Sequence, residues 1–402
     1  MGEIDAFTRL RKNIHERERL RVNKGKSRPL VILVGYRDSR LAGGSLRVLE
    51  TLAKSLPEEG FDVEIMFAYG DAGGVSAACR CPIHFVRAKS AFDFSAWSRA
   101  RRIINRRKPD ILQFVDNVNW LLICLMRSGV HTLTYAHGRT RGGLKTWILS
   151  KMQHNLADSV IAISHGAKNS LVERVVVSAE RVWVVQNGVD CRFGNELASR
   201  PRPKRFAAGQ DVTLGMACRI TINKGILDAV DLMRLLPVNW KLNIVGDGPD
   251  IAQLEEKIFV ENMQDRVVIA GSLEYMEDFY RNIDYYLFLS RYEAFGLTLV
   301  ESMSIGLPVV GLQAEGEYAE LECPLIDSDV ALLLARFHPF DVRRPPLISE
   351  LALLASELQK FHSDAGRRES MIEMARQRVQ SGFLASHQAA KLARVYREVL
   401  VD

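Results

Sequence analysis

Short apolar runs recur along the chain, and longer amphipathic stretches separate most of them. Runs without polar alternation predict parallel strands buried on both faces. In the first half they predict strands at 30–36, 62–69, 83–87, 110–115, 131–136 and 159–164. Helical periodicity lies between most of these, including 45–56 and 94–107. The pattern fails at 191–210, where Pro201, Pro203 and several charges interrupt it. A second series then predicts strands at 212–218, 241–246, 266–270, 285–290 and 308–311, again with helices between. Alternating βα units imply an α/β protein with parallel sheets covered by helices on both faces. The expected organisation is a basic extension at 1–28, a first domain at 29–200 and a second at 201–382. Two such domains joined by a linker leave a cleft. Ligands in open α/β sheets sit beyond the carboxyl ends of the strands, so strand-end residues are expected to face that cleft. After Ile348 the pattern is mostly helical, with breaks predicted at Gly366 and Gly382. The last segment carries an apolar stripe of Leu384, Leu392, Val395 and Val399.

Composition adds limits. A chain of 402 residues implies two domains. With 47% hydrophobic and 25% charged residues it is globular and not disordered. The formal charge of +6 favours anionic partners (nucleotides, nucleic acid or an acidic membrane) without choosing among them. The six cysteines are scattered, and the Cys79–Cys81 pair has no second pair to complete a zinc site. No disulfide framework is visible, so a reducing cytoplasm is expected. The apolar run 120–126 is too short to span a bilayer, and residues 1–28 lack the apolar core of a secretory signal.

The chemistry concentrates at 290–311. Glu293 and Glu301 bracket a Phe-Gly turn and the start of a helix, and a strand follows. A helix N-terminus presents unpaired N–H groups and a positive dipole end to phosphate. Two carboxylates beside it suit a ligand that joins an anion to neutral hydroxyls, which describes a nucleotide sugar. Glu301 has two readings. Thr298-Leu-Val-Glu301 is a capping box, or the carboxylate accepts bonds from the hydroxyls of a ribose. Glu293 follows a strand and has no capping role; it is a solvated loop residue or a ligand contact. Gly296 permits close approach of backbone to ligand.

Arg219 and Lys224 lie in the turn between the strand at 212–218 and a helix at 226–236. Two cations at a helix start are unfavourable unless an anion binds there. The readings are two surface cations or a diphosphate clamp, and the acidic pair favours the clamp. Gly43-Gly44-Ser45 opens a helix with Arg47 in its first turn, which makes a turn or a second anion cradle. His137, beside Gly138, ends one strand, and Asp116 and Asn117 end the strand before it. Asn187-Gly188-Val189-Asp190 and Gly246-Asp-Gly-Pro249 read as tight turns, the second placed near a nucleotide base. Gly25-Lys26-Ser27 is not a phosphate loop, because position 20 is Leu and no strand precedes it. Asp327-Ser-Asp329 reads as a helix cap at Asp327, so neither a catalytic metal nor a cofactor is expected.

Together these residues resemble the retaining GT-B glycosyltransferases of the glycosyltransferase 4 type. The E-x7-E pattern matches at Glu293 and Glu301, the R-x4-K-G element at Arg219, Lys224 and Gly225, the glycine-rich first loop at Gly43 and Gly44, and the histidine at His137. The resemblance runs from Leu30 onward. It implies two Rossmann-like doubly wound domains facing a cleft, with the C-terminal helix, 383–402, crossing back to the first. It implies that Glu293 contacts the donor sugar, Glu301 holds the ribose, and Arg219 and Lys224 neutralise the leaving diphosphate. The backbone of Ala294, Phe295, Gly296, Leu297 and Thr298 would support sugar and phosphate. Gly43, Gly44 and Gly246 would line the donor, His137 would sit at the reacting centre, and Asp116, Asn117 and Arg47 would lie on the acceptor side. The family's core does not explain residues 1–28.

The expected reaction moves a sugar from a UDP- or GDP-sugar to a hydroxyl of a glycan or lipid-linked acceptor with retained configuration. The setting would be synthesis of surface polysaccharide or lipopolysaccharide. A front-face route is expected, in which the leaving diphosphate helps deprotonate the acceptor. The basic stretch 97–108, and nine Lys or Arg against four acids in 1–28, are either solvated faces or docking elements for anionic lipid. The second reading makes a cytoplasmic enzyme peripheral at the inner face of the membrane. A nucleotide-sugar 2-epimerase, a non-catalytic scaffold and a nucleic-acid binder are the alternatives. No nucleic-acid partner is expected, because the cations do not alternate with aromatics.

Overall fold

The computed structural model describes residues 28–37, 44–71, 79–125, 128–137, 144–190, 210–273, 276–291, 293, 295–313, 329–335 and 345–401. The chain divides into unit 1, Met1–Val185 with Gln388–Asp402, and unit 2, Gln186–His387. The domain join expected at 200/201 falls outside the described residues.

In unit 1 the elements run β1 (Leu30–Arg37), α1 (Gly44–Ser55), β2 (Asp62–Tyr69), β3 (Ile83–Phe85), α2 (Phe94–Arg107), β4 (Ile111–Phe114), α3 (Asn119–Leu125), β5 (His131–Ala136), α4 (Leu144–Leu156), β6 (Ser159–Ala162), α5 (His165–Glu173) and β7 (Val182–Val184). All pairings are parallel, in the order β3-β2-β1-β4-β5-β6-β7. The apolar run Leu30–Val34 is buried throughout because β1 lies inside the sheet with helices packed over it. Chain order reverses between β1 and β4, so the crevice of this sheet opens at their carboxyl ends.

Unit 2 contains β8 (Val212–Ala217), α6 (Ile226–Leu235), β9 (Trp240–Val245), α7 (Ile251–Val260), β10 (Val267–Gly271), α8 (Met276–Arg281), β11 (Tyr285–Phe288), α9 (Leu297–Ser304), β12 (Val309–Gln313), β13 (Ala331–Ala335), α10 (Ile348–Ser363) and α11 (Ala365–Gly382). Its parallel sheet has the order β10-β9-β8-β11-β12-β13, with the reversal between β8 and β11. The core joins the sheet to α6 and α10 through Leu214, Met216, Val230, Leu232, Leu287, Leu354 and Leu358.

The last helix, α12 (Ala385–Val401), buries Gln388, Leu392, Tyr396 and Val399. Its residues from Gln388 onward pack as part of unit 1, as the C-terminal crossing requires. Tyr396 OH donates to Gln113 Oε1 in β4, and Gln388 Nε2 donates to Tyr135 OH in β5 at 2.9 Å.

Three expectations need correction. Strands β7 and β13 were not read from the sequence. β7 has only three residues, and β13 is an Ala-Leu run whose intrinsic preference is helical; it pairs with β12 along its whole length. The break expected at Gly366 lies at Asp364, whose side chain accepts from Arg367 N at 2.9 Å and caps α11.

Candidate functional site

The carboxyl ends of β8, β9 and β11 meet at the reversal point of unit 2. After β8 the chain makes one 3-10 turn, Ile222–Lys224, and then Gly225 at φ +73° starts α6. A side chain at 225 would place its Cβ 2.5 Å from Leu289 O, so only glycine fits under the end of β11. Gly246, at the end of β9, has φ +141° and lies against Cys218, whose carbonyl oxygen would be 1.9 Å from an added Cβ. Asp250 accepts from Ile222 N at 2.8 Å, and Ile220 N donates to Asp247 O at 2.9 Å. These bonds tie the Gly246 turn to the Arg219–Lys224 turn.

Lys224 Nζ donates to Glu293 Oε2 at 2.5 Å, and both side chains are about four-fifths buried (21% and 22% exposed). One cation predicted to await an anion is therefore neutralised by the carboxylate from the neighbouring loop. Arg219 is exposed, and no described residue hydrogen-bonds it. Burial pushes the nearby Cys218 thiol up to about 11; Lys224 pulls it down and Glu293 raises it.

Glu301 does not cap its helix. The N-cap of α9 is Gly296, at φ +78°, and no side chain caps that end. Thr298 already lies inside the helix, so it cannot act as the cap residue of the predicted box. Its Oγ1 bonds Tyr286 OH at 2.7 Å instead. The Glu301 carboxylate accepts from Tyr280 OH at 2.6 Å. Tyr286 OH also reaches Ala217 O at 3.1 Å, pinning the end of β8 to the start of α9. Phe295 is buried against Phe383, with ring centroids 6.1 Å apart, and Leu297 is half-buried in the first turn.

Sequence reasoning missed Arg291. Its guanidinium lies in a buried pair with Asp228 at 2.8 and 3.0 Å, and its backbone N–H donates to Asn223 O at 2.8 Å. The signal was present: Asp228 is the acid in the first turn of α6, and Arg291 follows a strand of uninterrupted apolar residues. Tyr280 and Tyr286 were also missed, because their partners are distant in sequence.

In unit 1 the candidates gather at the ends of β1, β4 and β5. His137 Nε2 meets Val115 O at 2.5 Å. A carbonyl only accepts, so Nε2 carries the proton and Nδ1 is left as an acceptor. Burial lowers the His137 pKa, against the raising effects of the Val115 carbonyl and Asp116. Asp116 Oδ2 accepts from Tyr36 N at 2.9 Å, and Asn117 is exposed. Gly44 and Arg47 lie in the first turn of α1. Gly43, Ala294, Asp327, Gly138 and residues 1–27 lie outside the described residues.

The basic helix α2 uses three arginines internally. Arg99 donates to Val86 O and Arg87 O, Arg101 donates to Cys124 O, and Arg107 pairs with Glu64. Arg102, Arg106 and Lys108 stay exposed, and Phe92 and Phe94 before them are 81% and 72% exposed. No described helix is long and apolar enough to cross a membrane.

Residues 42–193 match the family model "Glycosyltransferase Family 4", and residues 200–325 match "Glycosyl transferases group 1". The chain is 25% identical over 309 residues to the amylovoran biosynthesis glycosyltransferase AmsD of Erwinia amylovora, covering 73% of this chain and 82% of that one. It is 25% identical over 237 residues to the lipopolysaccharide 1,6-galactosyltransferase of Salmonella typhimurium, covering 56% of this chain and 60% of that one. The solved structure of Anabaena HepE with UDP and glucose superposes with a TM-score of 0.72 at 15% identity, over 92% of this chain and 100% of that one.

Proposed function

Since the chain has the GT-B fold and belongs to the glycosyltransferases of the glycosyltransferase 4 type, we propose that it moves a sugar from a nucleoside diphosphate sugar to a hydroxyl of a glycan or lipid-linked acceptor. The Lys224–Glu293 pair beside the uncapped start of α9 carries this reading. A diphosphate takes Lys224 as its counter-ion, which frees Glu293 to accept hydroxyl protons of the sugar. Arg219, exposed and uncommitted among the described residues, forks onto the remaining phosphate oxygens. Glu301, oriented by Tyr280, holds the ribose. Catalysis then consists mainly of stabilising the leaving diphosphate. The two cations do this without a metal, so transfer should persist in EDTA.

Retention follows from a front-face route in which the departing phosphate oxygen takes the acceptor proton. His137, with Nδ1 open as an acceptor, serves the reacting sugar; Asp116, Asn117 and Arg47 serve the acceptor. The surface-polysaccharide setting rests on the names of the relatives above. Membrane docking rests on Phe92 and Phe94 beside Arg102, Arg106 and Lys108. Titration with UDP-, GDP- and ADP-sugars tests the donor, and NMR of the product's anomeric proton tests retention. A protein that binds none of the three has no donor site. One that stays in solution beside anionic vesicles at low salt has no membrane face.

A further inference from the structure

Three aromatic side chains gather at the reversal point of unit 1, and nothing above uses them. Tyr36 ends β1, Tyr69 ends β2, and Trp120 lies in the first turn of α3, just after β4. The Tyr36 and Tyr69 rings lie 4.7 Å apart with 41° between their planes, and Tyr69 meets Trp120 edge-on at 6.0 Å. Tyr69 and Trp120 are half-buried and pack against the core beneath. Tyr36 is 49% exposed, although its backbone is fixed by the bond from its N–H to Asp116 Oδ2. A large ring held rigid from below and open above is a platform. Polar groups border it: Asp116 Oδ1 receives no hydrogen bond from a described residue, and Asn117 and Arg37 are exposed.

We propose that this aromatic shelf of Tyr36, Tyr69 and Trp120 is a saccharide subsite, where the apolar C–H face of a pyranose ring stacks on Tyr36 while Asp116 and Asn117 bond its hydroxyls. The chemistry matches on both counts. A pyranose has a face of axial C–H bonds and a rim of hydroxyls; the shelf has a π face and a rim of an acceptor and an amide. Ligands of doubly wound sheets bind where strand order reverses, which is where the shelf lies. Assigning the bound sugar as the acceptor rests on the glycosyltransferase reading. It specifies that the acceptor presents a sugar ring, and not only a lipid phosphate, to unit 1.

The test uses the full chain and the methyl α- and β-pyranosides of glucose, galactose, mannose and N-acetylglucosamine as probes. Saturation-transfer NMR should show the strongest transfer to the axial ring protons of at least one probe. Tyr36→Ala should weaken that probe's binding about tenfold. Tyr36→Phe should retain it, because the ring and not the hydroxyl does the stacking. Both variants should keep the parent's circular dichroism spectrum and UDP affinity. Binding that is equal in parent and Tyr36→Ala overturns the shelf, as does UDP binding with no probe bound. Probe binding that depends on Tyr36, in a protein that binds none of the nucleotides, supports the shelf and removes the donor reading.

Discussion

Lys224 and Glu293 show how one residue pair can be both structural and chemical. Each neutralises the other at 2.5 Å, at a site about four-fifths buried where an unpaired charge would be costly. Lys224→Ala should therefore lower turnover by about 100-fold or more, since it removes a cation from the developing diphosphate charge. Steady-state transfer with circular dichroism as a folding control measures this; unchanged turnover would take Lys224 out of the mechanism. Glu293→Ala should mainly slow transfer, and Glu301→Ala should mainly weaken donor binding. Tyr280→Phe deletes the hydrogen bond that orients the Glu301 carboxylate and should weaken UDP by about tenfold, the equivalent of about 1.4 kcal/mol, readable by calorimetry. The sequence showed Glu293, Glu301, Arg219 and Lys224 as charges placed at strand and helix ends. It could not show that Glu301 is held by Tyr280, because that contact depends on how α8 packs against α9. The cap reading failed for a local reason: Gly296, two residues before Thr298, already takes the left-handed conformation that starts the helix.

At the scale of elements, the turns after β8, β9 and β11 form one interlocked knot. Gly225→Ala must adopt a positive φ and also clear Leu289 O at 2.5 Å. We expect a loss of about 2–4 kcal/mol and a lower melting temperature for unit 2, measurable by thermal denaturation. The buried Arg291–Asp228 pair holds the same knot from beneath. Asp228→Ala should cost about 3–5 kcal/mol, because it removes the carboxylate against which the Arg291 guanidinium is buried. Most strands were legible because a strand buried on both faces has no polar alternation, as Leu30–Val34 and Tyr285–Phe288 show. β13 was not legible, because Ala331–Ala335 favours a helix on intrinsic preference, and only the open edge of β12 makes it a strand. The basicity of α2 also misled at this scale: arginines that read as a solvated stripe include Arg99, Arg101 and Arg107, which bond carbonyls or Glu64 within unit 1.

For the whole molecule, the chain's last helix completes unit 1, whose described sheet is built from strands between residues 30 and 184. Tyr396 and Gln388 place polar groups deep in unit 1, and they are accommodated only because Gln113 and Tyr135 answer them. Near them lies a buried histidine, His154, whose Nδ1 bonds Thr134 Oγ1 at 3.0 Å. Burial, assisted by His137, lowers its pKa to about 4. An unfolded chain protonates the same residue near 6.5. Above that pH both states are neutral and the group is silent. As pH falls through 6.5 the unfolded chain takes up the proton first, so stability drops, and it continues to drop until the folded pKa is passed. The contribution is on the order of 3 kcal/mol across that window. His137, and His362 in unit 2, are also lowered by burial and add to the loss. The melting temperature should therefore fall between pH about 6.5 and pH about 4, before most carboxylates titrate. His154→Gln, which can still bond Thr134, should flatten that slope. A variant whose profile overlays the parent's would show that His154 is protonated inside the fold at no cost.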